Sequence, residues 1–490
     1  MSKKEKSVKF NALLNSAKTI ISIGIHLITI PYASRILGKA HYGKVSFANS
    51  IIQYLALFAM LGISTYAQRE GPRFRDNYQK FEDFASQLFT INVISTVLSY
   101  IMMAVLLLFA MKLQDYRILI LVQSVIIILT TIGADWINQI YEDYFYMTVR
   151  YIIVEIIALI SLFIFVRTPS DYVNYAFIMV MSAAGGNLFN VFYVRKYAKL
   201  HFTPLRDCRQ HLKPVIKLFF VNLATVLYIS SDITILGYFR DNATVGVYTL
   251  ASKIYSTIKN VINAVILVAL PRLSFYLGHQ MDHEYNALLK KIYDYLITLL
   301  LPVIAGLFIL SKPIMLIVGG MQYSDGYVPL ALLSLSLLFA ALACYFATSI
   351  ILLYKQDNVY LMATLISCFS NVALNFILIP YMGYVGASLT TLIAEMLMCL
   401  ITWYYSLKLP NINQNRMYLF ADRSVLISSI IGSLGILVIG LLIKDVIGNP
   451  FINVGITFVL SVLFYFIILL IFKNPILTLF MKKLKIKLKR

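Results

Sequence analysis

About fourteen long apolar runs, separated by short polar or Pro/Gly breaks, fill this chain from residue 11 to residue 472. They open with residues 11–31 and 42–66 and close with 421–443 and 451–472. A membrane-crossing helix needs roughly 20 mostly apolar residues, so nearly all of the 490 residues are committed to such runs. Helix is the structure that closes every backbone hydrogen bond within segments of this length, whereas barrel strands are shorter and alternate. The expected fold is therefore an all-α polytopic membrane protein of about 14 transmembrane helices. Composition agrees: 60% of residues are hydrophobic and 13% charged, with a mean hydropathy of +0.79. A soluble enzyme, a disordered chain and a disulfide scaffold are all excluded.

The 42 Lys and Arg against 22 Asp and Glu leave a net charge of +20. In a soluble protein that excess suggests nucleic acid. Here the positive-inside rule accounts for it, and no nucleic-acid partner is expected. With the N-terminus inside, cytoplasmic segments hold about 29 basic residues, including Arg69, Arg73, Arg75, Arg195, Lys196, Arg206, Arg209 and the run 482–490. External loops, with Arg35, Lys39, Lys112 and Arg240, hold about nine. Both termini are expected in the cytoplasm of a multi-pass cell-membrane protein. The basic start followed by a polar-striped helix reads as an uncleaved first span. Cys208, Cys344, Cys368 and Cys399 form no CxxC pair and read as buried small residues.

An internal repeat sets the organisation. Ile36-Leu37-Gly38 followed by Tyr42-Gly43 matches Ile235-Leu236-Gly237 followed by Val245-Gly246, an offset of about 200 residues and six spans. An even span count between repeats means parallel halves related by an axis along the membrane normal. Residues 1–199 are expected to form one six-helix lobe and 214–409 a second around a central cavity. The basic segment 200–213 would link them, and residues 410–490 would add a helix pair and a tail.

Polar groups inside spans are costly and face one another or water. On the first span Asn11, Asn15, Lys18, Ser22, His26 and Thr29 recur at three- and four-residue spacing, on one side of a helix. They are read either as packed against other helices or as lining a wet cavity. Asn222, Thr225 and Asp232 lie on the seventh span. The eighth carries Lys253, Ser256, Thr257 and Asn260 on one stripe, with Ser252, Tyr255, Lys259 and Asn263 on the next. Lys253 and Asp232 are read as a structural pair or as cavity groups. Lys259 has no obvious sequence neighbour and is the sharper functional candidate. Asp135 reads as a solvated helix end and Arg150 as a snorkelling side chain, while Glu155 and Glu395 lie deeper. No phosphate loop, HExxH or GxSxG is present, and no loop exceeds roughly 20 residues, so neither an enzyme nor a cofactor or metal is expected.

The residues also carry a resemblance. Pro31-Tyr32-Ala33-Ser34-Arg35-Ile36-Leu37-Gly38, Tyr42-Gly43, Gly62-Ile63, Tyr66-Ala67-Gln68-Arg69-Glu70 and Arg73-Phe74-Arg75-Asp76 resemble the opening of the polysaccharide-transporter family. These are Wzx-type oligosaccharide flippases of the multidrug/oligosaccharidyl-lipid/polysaccharide (MOP) exporter superfamily. Val245-Gly246-Val247-Tyr248, Ala251-Ser252-Lys253-Ile254, Pro271-Arg272-Leu273-Ser274 and Gly383-Tyr384-Val385-Gly386-Ala387 resemble its later helices. The resemblance implies two lobes forming a V-shaped cavity of alternating access. It also implies a substrate, a short oligosaccharide on polyprenyl diphosphate, moved to the outer leaflet. Lys18, Arg35, Lys253 and Lys259 are the expected headgroup cations, with Asn15, Ser22, His26, Asn222, Asp232, Tyr255 and Asn260 lining the cavity. Arg69, Arg73 and Arg75 are placed at the cytoplasmic mouth, as a receiving site or as plain topology signal. Asp232, Glu395 and His26 are the groups for coupling to H+ or Na+. A monomer is expected. The competing functions are a multidrug exporter, a peptidoglycan-precursor flippase, a membrane polymerase or ligase, and a scaffold.

Overall fold

The computed structural model describes residues 8–409 and 421–478, and for residues 8–17, 19 and 20 the backbone alone. The basic run 482–490 lies outside the described residues. All regular structure among the described residues is helical. Twelve segments are long and apolar enough to cross a membrane, and Arg117–Gly133 is a shorter apolar helix. The first of the twelve, Ile21–Arg73, contains two of the expected runs, and the short helix is a third. Every expected run thus has its helix.

Contacts divide the chain into two compact units, Met1–Gly246 and Val247–Arg490. The first unit is built on α1 (Val8–Met60), which packs against α3 (Tyr78–Phe109), α5 (Arg117–Gly133), α7 (Tyr144–Phe165) and α10 (Leu205–Phe239). Gly38, at φ 70° and ψ 165°, splits α1 into two helical limbs. That backbone region is closed to residues with a β-carbon, so the break between the first two spans is written into one residue. After α2 (Ile63–Glu70) the chain turns, and Asn77 starts α3 by accepting from the Lys80 amide at 3.1 Å. A one-turn α4 (Met111–Gln114) leads into α5.

Two spans are broken in this unit. Ala134, at φ 44°, separates α5 from α6 (Asp135–Ile140), and Gly185-Gly186 separates α8 (Tyr172–Ala184) from α9 (Asn187–Tyr193). The breaks adjoin. The Asn190 amide donates to the Gly133 carbonyl at 2.5 Å, satisfying an orphan acceptor at the end of α5. A tight apolar cluster of Ile63, Phe81, Phe84, Trp136, Ile137, Ile140 and Val215 joins α2, α3, α6 and α10 beneath them. Because α10 packs on α1, α2 and α3, the division into units falls after the seventh span, in the first turns of α11 (Asn242–Gly278).

The repeat glycines have a packing reason. A β-carbon on Gly43 would lie 1.8 Å from the Asn242 carbonyl oxygen, and one on Gly246 1.9 Å from that of Lys39. Both glycines lie in residues 1–246 and let two backbones touch.

In the second unit α14 (Tyr327–Phe346), α15 (Asp357–Met382) and α16 (Tyr384–Leu407) pack together, with α12 (Asp282–Ile309) and α13 (Ser311–Gly319) beside α14. The helix pair α17 (Arg423–Lys444) and α18 (Pro450–Ile471) joins this unit through α12. Lys290 pairs with Asp422 at 2.5 Å, and the Tyr465 hydroxyl donates to the Thr298 carbonyl at 2.6 Å. Bare glycine faces let the pair close: Gly432 meets the Tyr465 ring and Gly435 the Phe464 ring.

Candidate functional site

In the second unit the polar stripes of α11 carry the densest functional chemistry. The Lys259 ammonium donates to Oε1 of Glu395 on α16, and the Tyr255 hydroxyl donates to the same oxygen at 3.1 Å. Glu395 is buried, while Lys259 keeps 24% of its side chain accessible. Its ammonium also lies 5.7 Å from the centroid of the Tyr255 ring. The partner of Lys259 lies 136 residues away in sequence and on another helix, beyond the reach of sequence spacing. Tyr255 is buried, with its hydroxyl engaged by Glu395.

Lys253 differs from Lys259. It is exposed and has no ion pair or hydrogen bond to its ammonium among the described residues. Its backbone carbonyl accepts from Ser256 at 3.1 Å and Thr257 at 2.8 Å, so the hydroxyls of its own stripe turn inward to the helix. Asn260 is exposed on the same stripe. The arrangement presents one compensated and one uncompensated cation on a single apolar helix, a setting that favours an anion.

In the first unit the Lys18 ammonium lies 4.4 Å from the centroid of the Tyr151 ring, and the Tyr151 hydroxyl donates to Ser22 Oγ at 3.0 Å. His26 Nδ1 sits 2.7 Å from the Ser22 carbonyl, and the imidazole is exposed. Tyr151 was missed by sequence reasoning, because an interior tyrosine carries no signal of the helix it faces. Asn15 lies in α1, its side chain outside the described residues. Asn222 is half-buried, Asp232 is buried, and Arg35 is exposed one turn before the Gly38 break.

Several other ionisable groups are paired. Arg150 does not snorkel. Its side chain is 9% accessible and grips both oxygens of Asp135, at 2.6 and 2.8 Å, across the α5–α6 break. Asp135 is therefore an ion-paired anchor more than a solvated helix end. Glu155 is buried and accepts from Ser182 at 3.0 Å. Arg73 pairs with Glu70 at 2.6 Å and Arg75 with Glu142 at 3.2 Å, while Arg69 is exposed. Nearby, Tyr193 and Tyr197 each donate to the buried Asp143 at 2.6 Å. Burial pushes the Tyr141 phenol, stacked on Tyr197, up to about 12. Among the described residues no group of three or more His, Cys, Asp or Glu is placed to hold a metal.

The described residues form a helical membrane fold with cations on its spans. The fold has counterparts among solved structures. The fold is similar to that of the lipid II flippase MurJ, inward closed conformation, with a TM-score of 0.74 over 95% of this chain and 100% of that one, at 17% identity. It is also similar to an inward-facing multidrug resistance MATE family transporter of the MOP superfamily, with a TM-score of 0.58 over 78% and 93%, at 15% identity. The chain belongs to the family described as "Polysaccharide biosynthesis protein", which matches residues 8–277. A relative named "Putative O-antigen transporter", from Escherichia coli (strain K12), is 21% identical over 80% of this chain and 93% of its own length. The capsular polysaccharide biosynthesis protein CapF of Staphylococcus aureus is 31% identical over 33% of this chain and 42% of its own.

Proposed function

We propose that this chain is a flippase. It moves polyprenyl-diphosphate-linked oligosaccharide repeat units from the cytoplasmic to the outer leaflet of the cell membrane, for assembly of capsule, O-antigen or exopolysaccharide. The observation that carries the reading is Lys253, an exposed lysine on a membrane-length helix with no counter-ion among the described residues. In a low-dielectric setting such a cation recruits a negative headgroup, and a diphosphate supplies one. Family membership and relatives named for O-antigen transport and capsular polysaccharide support the saccharide part. The substrate is moved unchanged, by alternating access of the two lobes of one monomer, with both termini cytoplasmic. Lys18 and Lys259 add positive charge along the path, Arg35 meets the headgroup at the outer end, and Arg69, Arg73 and Arg75 receive it at the inner end. Coupling to a proton or sodium gradient is assigned to Asp232, His26 and Glu395; a rate insensitive to both gradients removes that part.

The test is leaflet assignment in cells depleted of this protein, with repeat-unit synthesis intact and a membrane-impermeant sugar-modifying probe. Repeats protected from the probe are expected. Normal externalisation in cells lacking a redundant flippase overturns the reading. The likeness to MurJ keeps a peptidoglycan-precursor flippase as a second reading, since that substrate also bears a diphosphate. Rescue of wall synthesis in depleted cells would select it.

A further inference from the structure

We propose that Glu395 is an internal stand-in for the substrate headgroup: it neutralises Lys259 when the site is empty and yields the ammonium when a diphosphate arrives. The inference rests on the flippase reading and gives a role to a carboxylate that the sequence offered for ion coupling.

Three observations carry it. Glu395 is buried on α16 and has Lys259 as its cation, so in the empty site the carboxylate is matched by an ammonium. The Tyr255 hydroxyl donates to the same Oε1 at 3.1 Å, so the carboxylate keeps a partner and a fixed position when the ammonium leaves. Lys259 keeps 24% of its side chain accessible and Glu395 5%, so the open face of the pair belongs to the lysine.

The consequence is electrostatic. Lys253 and Lys259 together would hold a doubly charged headgroup tightly, and a carrier that holds its cargo tightly releases it slowly. Placing one carboxylate against one lysine makes the headgroup compete for that ammonium. The competitor takes it back on release and leaves the empty protein without an uncompensated charge at this position. Glu395 thus weakens binding and speeds turnover. It is a positioning residue for Lys259, with no ligand contact of its own.

The experiment uses the full-length protein in phosphatidylcholine nanodiscs, titrated with farnesyl diphosphate as the headgroup probe. Turnover is read in proteoliposomes from translocation of a fluorescent polyprenyl diphosphate. Glu395→Gln is expected to lower the Kd by about tenfold, since the competing charge is gone, and to slow turnover several-fold. Glu395→Asp, which keeps the charge but draws it back from the ammonium, should move both quantities the same way by less, and serves if the glutamine variant does not fold. Opposite movement of affinity and turnover is the signature, because a purely structural role weakens both. Unchanged or weaker binding in both Glu395 variants, with Lys259→Met still abolishing binding, overturns the stand-in role and leaves the flippase reading intact. Binding unaffected by Lys259→Met overturns the stand-in role and removes Lys259 from the headgroup path as well.

Discussion

At the residue scale, several ionisable side chains of the spans are matched to partners on other helices. Arg150 and Asp135 are the sharpest case. Arg150→Ala would strand a carboxylate at the α5–α6 break, and the expected loss is about 2–3 kcal/mol, below the figure for a fully buried pair because Asp135 keeps 35% accessibility. Thermal melting of the purified protein checks it, and Asp135→Asn added to Arg150→Ala should restore part of the loss. Asp241 offers a pH test outside the spans. It caps α11, accepting from the Thr244 hydroxyl and, at 3.1 Å, from the Thr244 amide. The Thr244 hydroxyl holds its carboxyl below the usual carboxylate range. Folding therefore disfavours protonation. The cap contributes fully above the ordinary carboxylate value near ~4 and loses its effect as pH falls through the lower folded value. Asp241→Ala should cost about 0.5–1 kcal/mol at neutral pH, with the gap from wild type closing in acid. Equal gaps at pH 7 and pH 3 would refute the cap.

At the element scale, the chain uses glycine where two backbones meet. Gly43 and Gly246 stand at matching places in the internal repeat, and each faces a backbone carbonyl closer than a β-carbon tolerates. Gly246→Ala is expected to destabilise by about 1–3 kcal/mol, as overpacking does, read as a lowered melting temperature. Gly278→Ala, with open space around it, is the control and should leave melting unchanged. The repeat was visible in the sequence, but that its glycines make room for carbonyls was not, because a motif records residue identity and not the neighbour that demands it. The same holds for the breaks at Ala134 and Gly185-Gly186. Both runs read as continuous spans, and hydropathy is blind to a single residue at φ 44°.

At the scale of the whole molecule, two units share one chain, and each carries one tryptophan, Trp136 in the first and Trp403 in the second. That allows the units to be melted separately by fluorescence in single-tryptophan proteins. Truncation after Leu409 removes α17 and α18, with the Lys290–Asp422 pair and the Tyr465–Thr298 hydrogen bond. The Trp403 transition is expected to fall by several degrees and the Trp136 transition by less. Equal shifts would mean that the helix pair does not belong to the second unit's stability.

The helices of this protein and its membrane class were legible from the sequence, because a bilayer demands about 20 apolar residues per span and that demand is local. The polar stripes were legible for the same reason, since helical periodicity places Lys253 and Lys259 on α11 without knowledge of any neighbour. What those lysines do was decided by the tertiary structure. Glu395, Tyr255, Arg150 and Asp135 acquire their roles from contacts between helices, and a charge buried in apolar surroundings is defined by its partner. Sequence spacing fixes a side chain's place on its own helix; only packing chooses the ion that faces it.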